Sequence, residues 1–227
     1  GPGGVGNADG SGGKPENVIW LDAGTLSQGD GTDVTTWSDI SGNNVNFGAS
    51  NGGNFPDFET NEVNGFPVVA FDDGNMERLN INPFNNMPSS EISTIIVFAT
   101  PETDEGIFSY NANNEDNEYL IYDANNIRTS INGNYNSGGS FNDGSTTFNI
   151  FTSRWQSSNG NLINHKNSNE VNSGTLSEGT PITNGGSLTL GGEQDAVDGG
   201  YDPGQDFQGK IAEVIVYNKF LNDGERL

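Results

Sequence analysis

The sequence predicts an all-β fold, an antiparallel two-sheet jelly-roll sandwich with little helix, and three observations carry that prediction. Short apolar runs recur along the chain, nearly all separated by turn residues. Where a run is long enough to show a period, the period is two. Over 210–218 it places Ala212, Val214 and Val216 on one face, and Ile211, Glu213, Ile215 and Tyr217 on the other. No window longer than two turns carries helical periodicity, and no internal repeat is visible.

Taken in order, residues 1–13 are Gly-rich with Asn and Asp and offer nothing to pack. Residues 1–16 are therefore expected as a flexible linker, and 17–227 as a single jelly-roll domain. Order begins at Val18-Ile19-Trp20-Leu21, an apolar run suited to a buried strand. Residues 35–44 place Trp37 at a strand end before the polar turn Ser41-Gly42-Asn43-Asn44. Further strands are expected at 67–71, 94–100, 106–110, 119–122, 148–155, 162–166, 187–190 and 210–218. The one helix start, Asn222-Asp223-Gly224-Glu225-Arg226, falls at the end of the sequence.

Composition narrows the function classes. Eight basic residues against 31 acidic ones give 227 residues a formal net charge of −23. Such a surface repels nucleic acid and anionic membranes, so neither is expected as a partner. It also describes a self-repelling fold that needs cations for stability. The chain has no cysteine, which removes disulfides, thiol catalysis and zinc-thiolate sites. No apolar run is long enough to cross a bilayer, and no signal peptide is visible. The chain is expected to work beside neighbouring domains of a longer protein.

The densest chemistry lies in Gly191-Gly192-Glu193-Gln194-Asp195-Ala196-Val197-Asp198-Gly199-Gly200-Tyr201-Asp202-Pro203-Gly204-Gln205. Glu193, Asp195, Asp198 and Asp202 share this loop with the amides of Gln194 and Gln205, and no Lys or Arg lies among them. Crowded carboxylates repel unless a cation sits between them. Oxygen ligands on a flexible loop suit Ca²⁺ better than Mg²⁺. A solvated acidic turn is the alternative, and a second segment, Glu115-Asp116-Asn117-Glu118-Tyr119-Leu120-Ile121-Tyr122, weighs against it.

That second segment, with Ile107-Phe108-Ser109-Tyr110 before it and 190–209 after it, resembles the pentraxins and, more broadly, the laminin-G and concanavalin A-like jelly rolls. The spacing of Glu193, Asp202 and Gln205 is similar to that of the pentraxin calcium loop. Residues 149–157 resemble a further pentraxin motif more loosely, with Asn149 for its His, Phe151 for its Cys and one residue inserted before Trp155. Trp20-Leu21-Asp22-Ala23 and Trp37-Ser38-Asp39-Ile40-Ser41-Gly42-Asn43 look instead like bacterial laminin-G-like domains. The resemblance implies two adjacent Ca²⁺ ions, and further structural ions are compatible with acids such as Asp30, Asp33, Asp72 and Asp73. The first would take Asp116, Asn117, Glu193, Asp195 and the backbone carbonyl of Gln194. The second would share Glu193 and Asp195 and add Asp202 and Gln205. Tyr122 would sit where pentraxins carry an aromatic ligand contact, unless it is an ordinary strand aromatic, and Tyr201 could form a second wall. Asp198 has no counterpart. The sequence ends where a pentraxin's long helix would begin, so residues 18–21 are expected to take the place of the family's last strand, and pentamers are not implied.

The extreme acidity and the N-terminal half resemble ligand-binding modules of large calcium-dependent bacterial surface adhesins. The resemblance thus implies an extracellular or cell-surface module whose partner is a peptide C-terminus or a carbohydrate on another cell. The alternatives are a calcium-stabilised spacer and a polysaccharide-active enzyme. A glycosidase needs two carboxylates flanking a bond. Glu193 with Asp195, and Asp116 with Glu118, are the available pairs, and the metal claims three of these four. His165 is the only histidine and has no orienting Asp nearby in sequence. No catalytic role is expected.

Overall fold

The computed structural model describes residues 1–50, 52–113 and 115–226, with the side chains of Glu115 and Asp116 outside the described set. Its strands form the two-sheet sandwich that the turn-separated apolar runs predict. One sheet contains β1 (Asn17–Asp22), β2 (Thr32–Asp33), β4 (Asp57–Val63), β5 (Phe66–Phe71), β7 (Glu91–Ala99), β12 (Asn149–Gln156), β13 (Asn161–Lys166), β14 (Asn169–Thr175) and β16 (Gly209–Tyr217). The other contains β3 (Gly48–Ala49), β6 (Leu79–Phe84), β8 (Gly106–Ala112), β9 (Glu115–Tyr122), β10 (Arg128–Ile131), β11 (Asn134–Ser137) and β15 (Gly186–Leu190). Among the described residues the first runs β14-β13-β12-β7-β16-β5-β4-β2 and the second β11-β10-β9-β8-β15-β6-β3, every pair antiparallel. β1 pairs β16, off the main strand path, with Ile19 opposite Val216 and Leu21 opposite Val214, so residues 18–21 form a strand of this sheet.

The core between the sheets is one cluster of aliphatic and aromatic side chains. Phe71, Phe98, Phe141, Phe151 and Phe207 form a chain of ring contacts with centroids 5.5–6.2 Å apart. Phe108 of β8 meets Tyr119 of β9 edge to face at 5.6 Å, which adds about 0.5–1.5 kcal/mol beyond area burial.

Three local readings change. In β16 the pairing with β7 shifts between Ile211 and Glu213, so a bulge at Ala212 resets the alternation. Ile211 therefore joins Val214 and Val216 in the core, while Ile215 and Tyr217 pack on the outer face with Leu221. Residues 1–16, expected as a linker with nothing to pack, hold contacts on that outer face. Val5 packs against this second cluster, Tyr217 Oη donates to Val5 O at 3.1 Å, and Asn7 bridges to Glu16. The strands β2, β3, β4, β6, β10, β11 and β14 lie outside the expected set; of these, β4, β10, β11 and β14 are mostly polar, carrying Asp, Glu, Asn, Ser and Thr in place of an apolar run. The helix start holds as α1 (Asp223–Arg226), with Asn222 Oδ1 accepting from Gly224 N and Glu225 N.

Candidate functional site

Every residue of β8 and β15 is buried, although only one face of each meets the core. The other face carries Ser109, Asn111, Ser187 and Thr189, and loop 191–206 lies across them. Gln194 Nε2 donates to Ser109 O at 2.7 Å and to Ser187 O at 2.9 Å, while Ser187 Oγ donates to Gln194 Oε1 at 2.6 Å. Gln194 N donates to Ser109 Oγ at 3.1 Å, and the Gln194 carbonyl accepts from Asn111 Nδ2. The fully buried Gln194 side chain is thus a peg fixing Glu193 and Asp195 over the sheet. Its carbonyl, with two lone pairs, has an acceptor position beyond the one Asn111 uses.

Two glycines are required by close approach. A Cβ at Gly106 would lie 2.4 Å from Glu193 N, and one at Gly192 would lie 2.8 Å from both Arg78 Nε and Asp206 Oδ1. The Arg78 neighbour closes the far end of the loop. Its guanidinium makes a two-pronged, fully buried ion pair with Asp206 and stacks 4.4 Å from the centre of the Tyr201 ring.

The second segment enters from β9. Between the pairs Tyr110↔Tyr119 and Ala112↔Glu115, one residue of β8 faces three of β9, a bulge with Asn117 at φ 59°. Asn tolerates this left-handed backbone better than most residues. Asn117 N donates to Asn111 Oδ1 at 3.2 Å, so Asn111 ties the bulge and the loop together.

The result is an open cleft of about 280 Å³ lined by Asn117, Leu120, Tyr122, Arg128, Glu193, Asp195 and Gln205. Five expected site residues therefore converge: Asn117, Tyr122, Glu193, Asp195 and Gln205. Glu193 is buried and Asp195 exposed. Gln205 Nε2 lies 3.4 Å from Tyr122 Oη, and burial raises the Tyr122 hydroxyl pKa above its ordinary value. Asp202 is not in the lining. It is exposed and caps the 3-10 turn Pro203–Gln205, its Oδ1 accepting from Gly204 N at 2.9 Å.

Tyr201 is a correction. It does not line the cleft; besides Arg78, it meets Thr189 Oγ1 at 2.9 Å and Asn80 Nδ2 at 3.3 Å. The Asp116 side chain lies outside the described residues. Among the described residues no three of His, Cys, Asp and Glu are grouped closely enough to hold a metal ion. Asp198 also has a structural part, donating its backbone N to Ser187 Oγ at 2.6 Å and accepting from Asn82 at 3.0 Å.

Sequence reasoning missed Arg128, Asn111 and the Arg78–Asp206 clasp. The signal for Arg128 was the scarcity of basic residues, eight in the whole chain. Asn111 was visible as a polar residue alternating with Tyr110 and Ala112 in a buried strand.

Residues 78–226 match the model of the Pentaxin family. Human Pentraxin-4 is 38% identical over 72 residues, which span 31% of this chain and 15% of that protein. The heptameric SAP-like pentraxin of Limulus polyphemus superposes with a TM-score of 0.55 at 18% identity, over 64% of this chain and 71% of that one. Domain 4 of AbnA, an extracellular arabinanase of Geobacillus stearothermophilus, solved in complex with arabinotriose, superposes with a TM-score of 0.63 at 15% identity, over 93% and 96% of the two chains. Among the described residues no helix is long and apolar enough to cross a membrane.

Proposed function

The chain belongs to the Pentaxin family, and from that membership and the donor chemistry of the cleft we propose that it is a calcium-dependent ligand-binding module. Two adjacent Ca²⁺ ions would be held here. Asp116, Asn117, Glu193, Asp195 and the Gln194 carbonyl serve the first, and Glu193, Asp195, Asp202 and Gln205 the second. The observation that carries this reading is the convergence of Asn117, Glu193, Asp195 and Gln205, drawn from β9 and two points of one loop, on a single cleft. Carboxylate and amide oxygens with no nitrogen or sulfur donor are the set a hard cation takes. Bound ions would offset the repulsion between the carboxylates and offer open positions to a peptide carboxylate or sugar hydroxyls.

The net charge of −23 fits a protein working where calcium is plentiful, and we place the module on an extracellular bacterial adhesin. The saccharide complex of the arabinanase domain supports a sugar as ligand. An enzymatic reading has less support. Glu118 is 1% exposed and occupied as an acceptor for Thr183 N. Burial holds the His165 pKa down at about 4, so it is neutral near pH 7.

Binding to glycan and peptide arrays, with calcium and with chelator, tests the proposal. Bound ligand should be released by chelator, and Asp202→Ala, folded at high calcium, should lose binding more than stability. If that variant holds ligand as well as the parent, the ions are structural and the module is a spacer.

A further inference from the structure

Of the eight basic residues, Arg128 and the exposed Lys14 of the N-terminal segment differ from the rest. Arg78, Arg154, Lys166, Lys210, Lys219 and Arg226 each lie within 4.0 Å of a carboxylate. Arg128 takes part in none of the ion pairs formed among the described residues, in a chain of 31 acidic and eight basic side chains. It sits on β10, next to β9, and lines the same cleft as Glu193 and Asp195.

What holds Arg128 there is aromatic. Its guanidinium carbon lies 4.3 Å from the centre of the Tyr135 ring and 5.8 Å from that of Tyr122. Nε donates to Ser130 Oγ at 3.0 Å. That leaves the Nη pair, the edge whose geometry matches a carboxylate. Tyr135 is 58% exposed, a large aromatic face offered to solvent at the rim.

We propose that Arg128, backed by Tyr122 and Tyr135, is a specificity subsite that recognises the carboxylate of an acidic saccharide whose hydroxyls reach the calcium pair. This rests on the calcium reading above, because the ions occupy Glu193 and Asp195 and leave Arg128 to an anion brought by the ligand. A saccharide fits better than an acidic peptide. Besides Arg128 and Tyr122 the lining is carboxylate and amide, with Leu120 as its one aliphatic residue, so it has little to hold aliphatic side chains. An exposed tyrosine ring suits the C–H face of a sugar.

The test uses the whole domain in calcium and oligosaccharides in matched pairs, each uronate against its methyl ester, with acidic peptides alongside. The uronates should bind about tenfold or more tightly than their esters. Arg128→Gln should remove that preference and keep the calcium stoichiometry. Arg128→Lys should restore part of the preference, keeping charge without the fork, and Tyr135→Ser should weaken uronates and esters alike. Equal binding of uronate and ester by the parent overturns the subsite but leaves calcium-dependent binding standing. Arg128-dependent capture of acidic peptides with no saccharide bound overturns the saccharide assignment. Binding that survives chelator overturns the calcium reading on which the proposal rests.

Discussion

The outer faces of the two sheets are covered in different ways. On the nine-stranded sheet the cover is the two ends of the chain. Val5 and Leu221 bring apolar side chains to Ile215 and Tyr217, and Arg154–Asp223 and Lys219–Glu225 close the edges. On the seven-stranded sheet the cover is loop 191–206, pegged by hydrogen bonds from Gln194 and clasped by Arg78, with carboxylates and amides left at an open cleft. The first face spends its charges on pairing; the second concentrates acidic oxygen where a cation can use it. Stability without added ions should therefore come mainly from the first cover and the core, and the second should depend on metal.

Calcium removal is the largest expected effect. An ion binding only the native state stabilises by about 4 kcal/mol when its free concentration is a thousandfold above Kd, and two sites add. Thermal melts in calcium and in chelator should differ by many degrees; superimposed melts would erase the difference between the two faces.

Breaking the clasp comes next. Arg78→Ala strands Asp206, which is 1% exposed, as an unpaired buried carboxylate, at a cost of about 3–5 kcal/mol. It also frees the loop end that carries Gln205, so calcium affinity should fall with stability in denaturation and titration. The matching cut on the other face, Lys219→Ala, removes a partly exposed pair and should cost under ~1 kcal/mol. Equal losses would mean that the loop is no more dependent on its charges than the chain ends are.

These two faces were unequally legible in sequence. Phe98, Phe108, Tyr119 and Val214 sit in alternating or continuous apolar runs, and the sandwich followed from them. The polar strands β10 and β11 did not announce themselves, although Asn132-Gly133 between them, both at positive φ, is a strong hairpin turn. Apart from Ile131 their side chains are Arg, Thr, Ser, Asn and Tyr, a composition that reads as loop until strand pairing is seen. Glu193, Asp195 and Gln205 could be named because they share one acidic loop, and Asn117 because its segment resembles that of the pentraxins. Tyr201 was misplaced because its partner, Arg78, is distant in sequence, and nothing local shows which way an aromatic in a glycine-rich loop turns. The bulge at Ala212 breaks a two-residue period without any Gly or Pro to mark it.

A pH series sharpens the comparison further. Glu105, beside the loop, accepts from Gln208 N at 3.0 Å. Burial, with smaller contributions from Asp73, Glu102 and Asp206, lifts its pKa to about 8. A carboxyl whose folded pKa lies above the unfolded value binds more protons when folded. Its stabilisation is therefore complete below about pH 4.5 and is lost as pH rises toward 8. Glu105→Gln should gain on the parent as pH rises across that window, measured in chelator. His165, on the other face, has the opposite sign: its folded pKa of about 4 means stability is lost as pH falls from about 6.5 toward 4. Denaturant melts of parent and variant at stepped pH separate the two; parallel curves would contradict the Glu105 assignment.

The most direct test of the central claim is calorimetric calcium titration of the parent beside Asp195→Ala and Asp202→Ala. The shared-carboxylate arrangement predicts two ions for the parent, none for Asp195→Ala and one for Asp202→Ala. A parent that takes up no calcium, or two variants that lose the same number of ions, would contradict it.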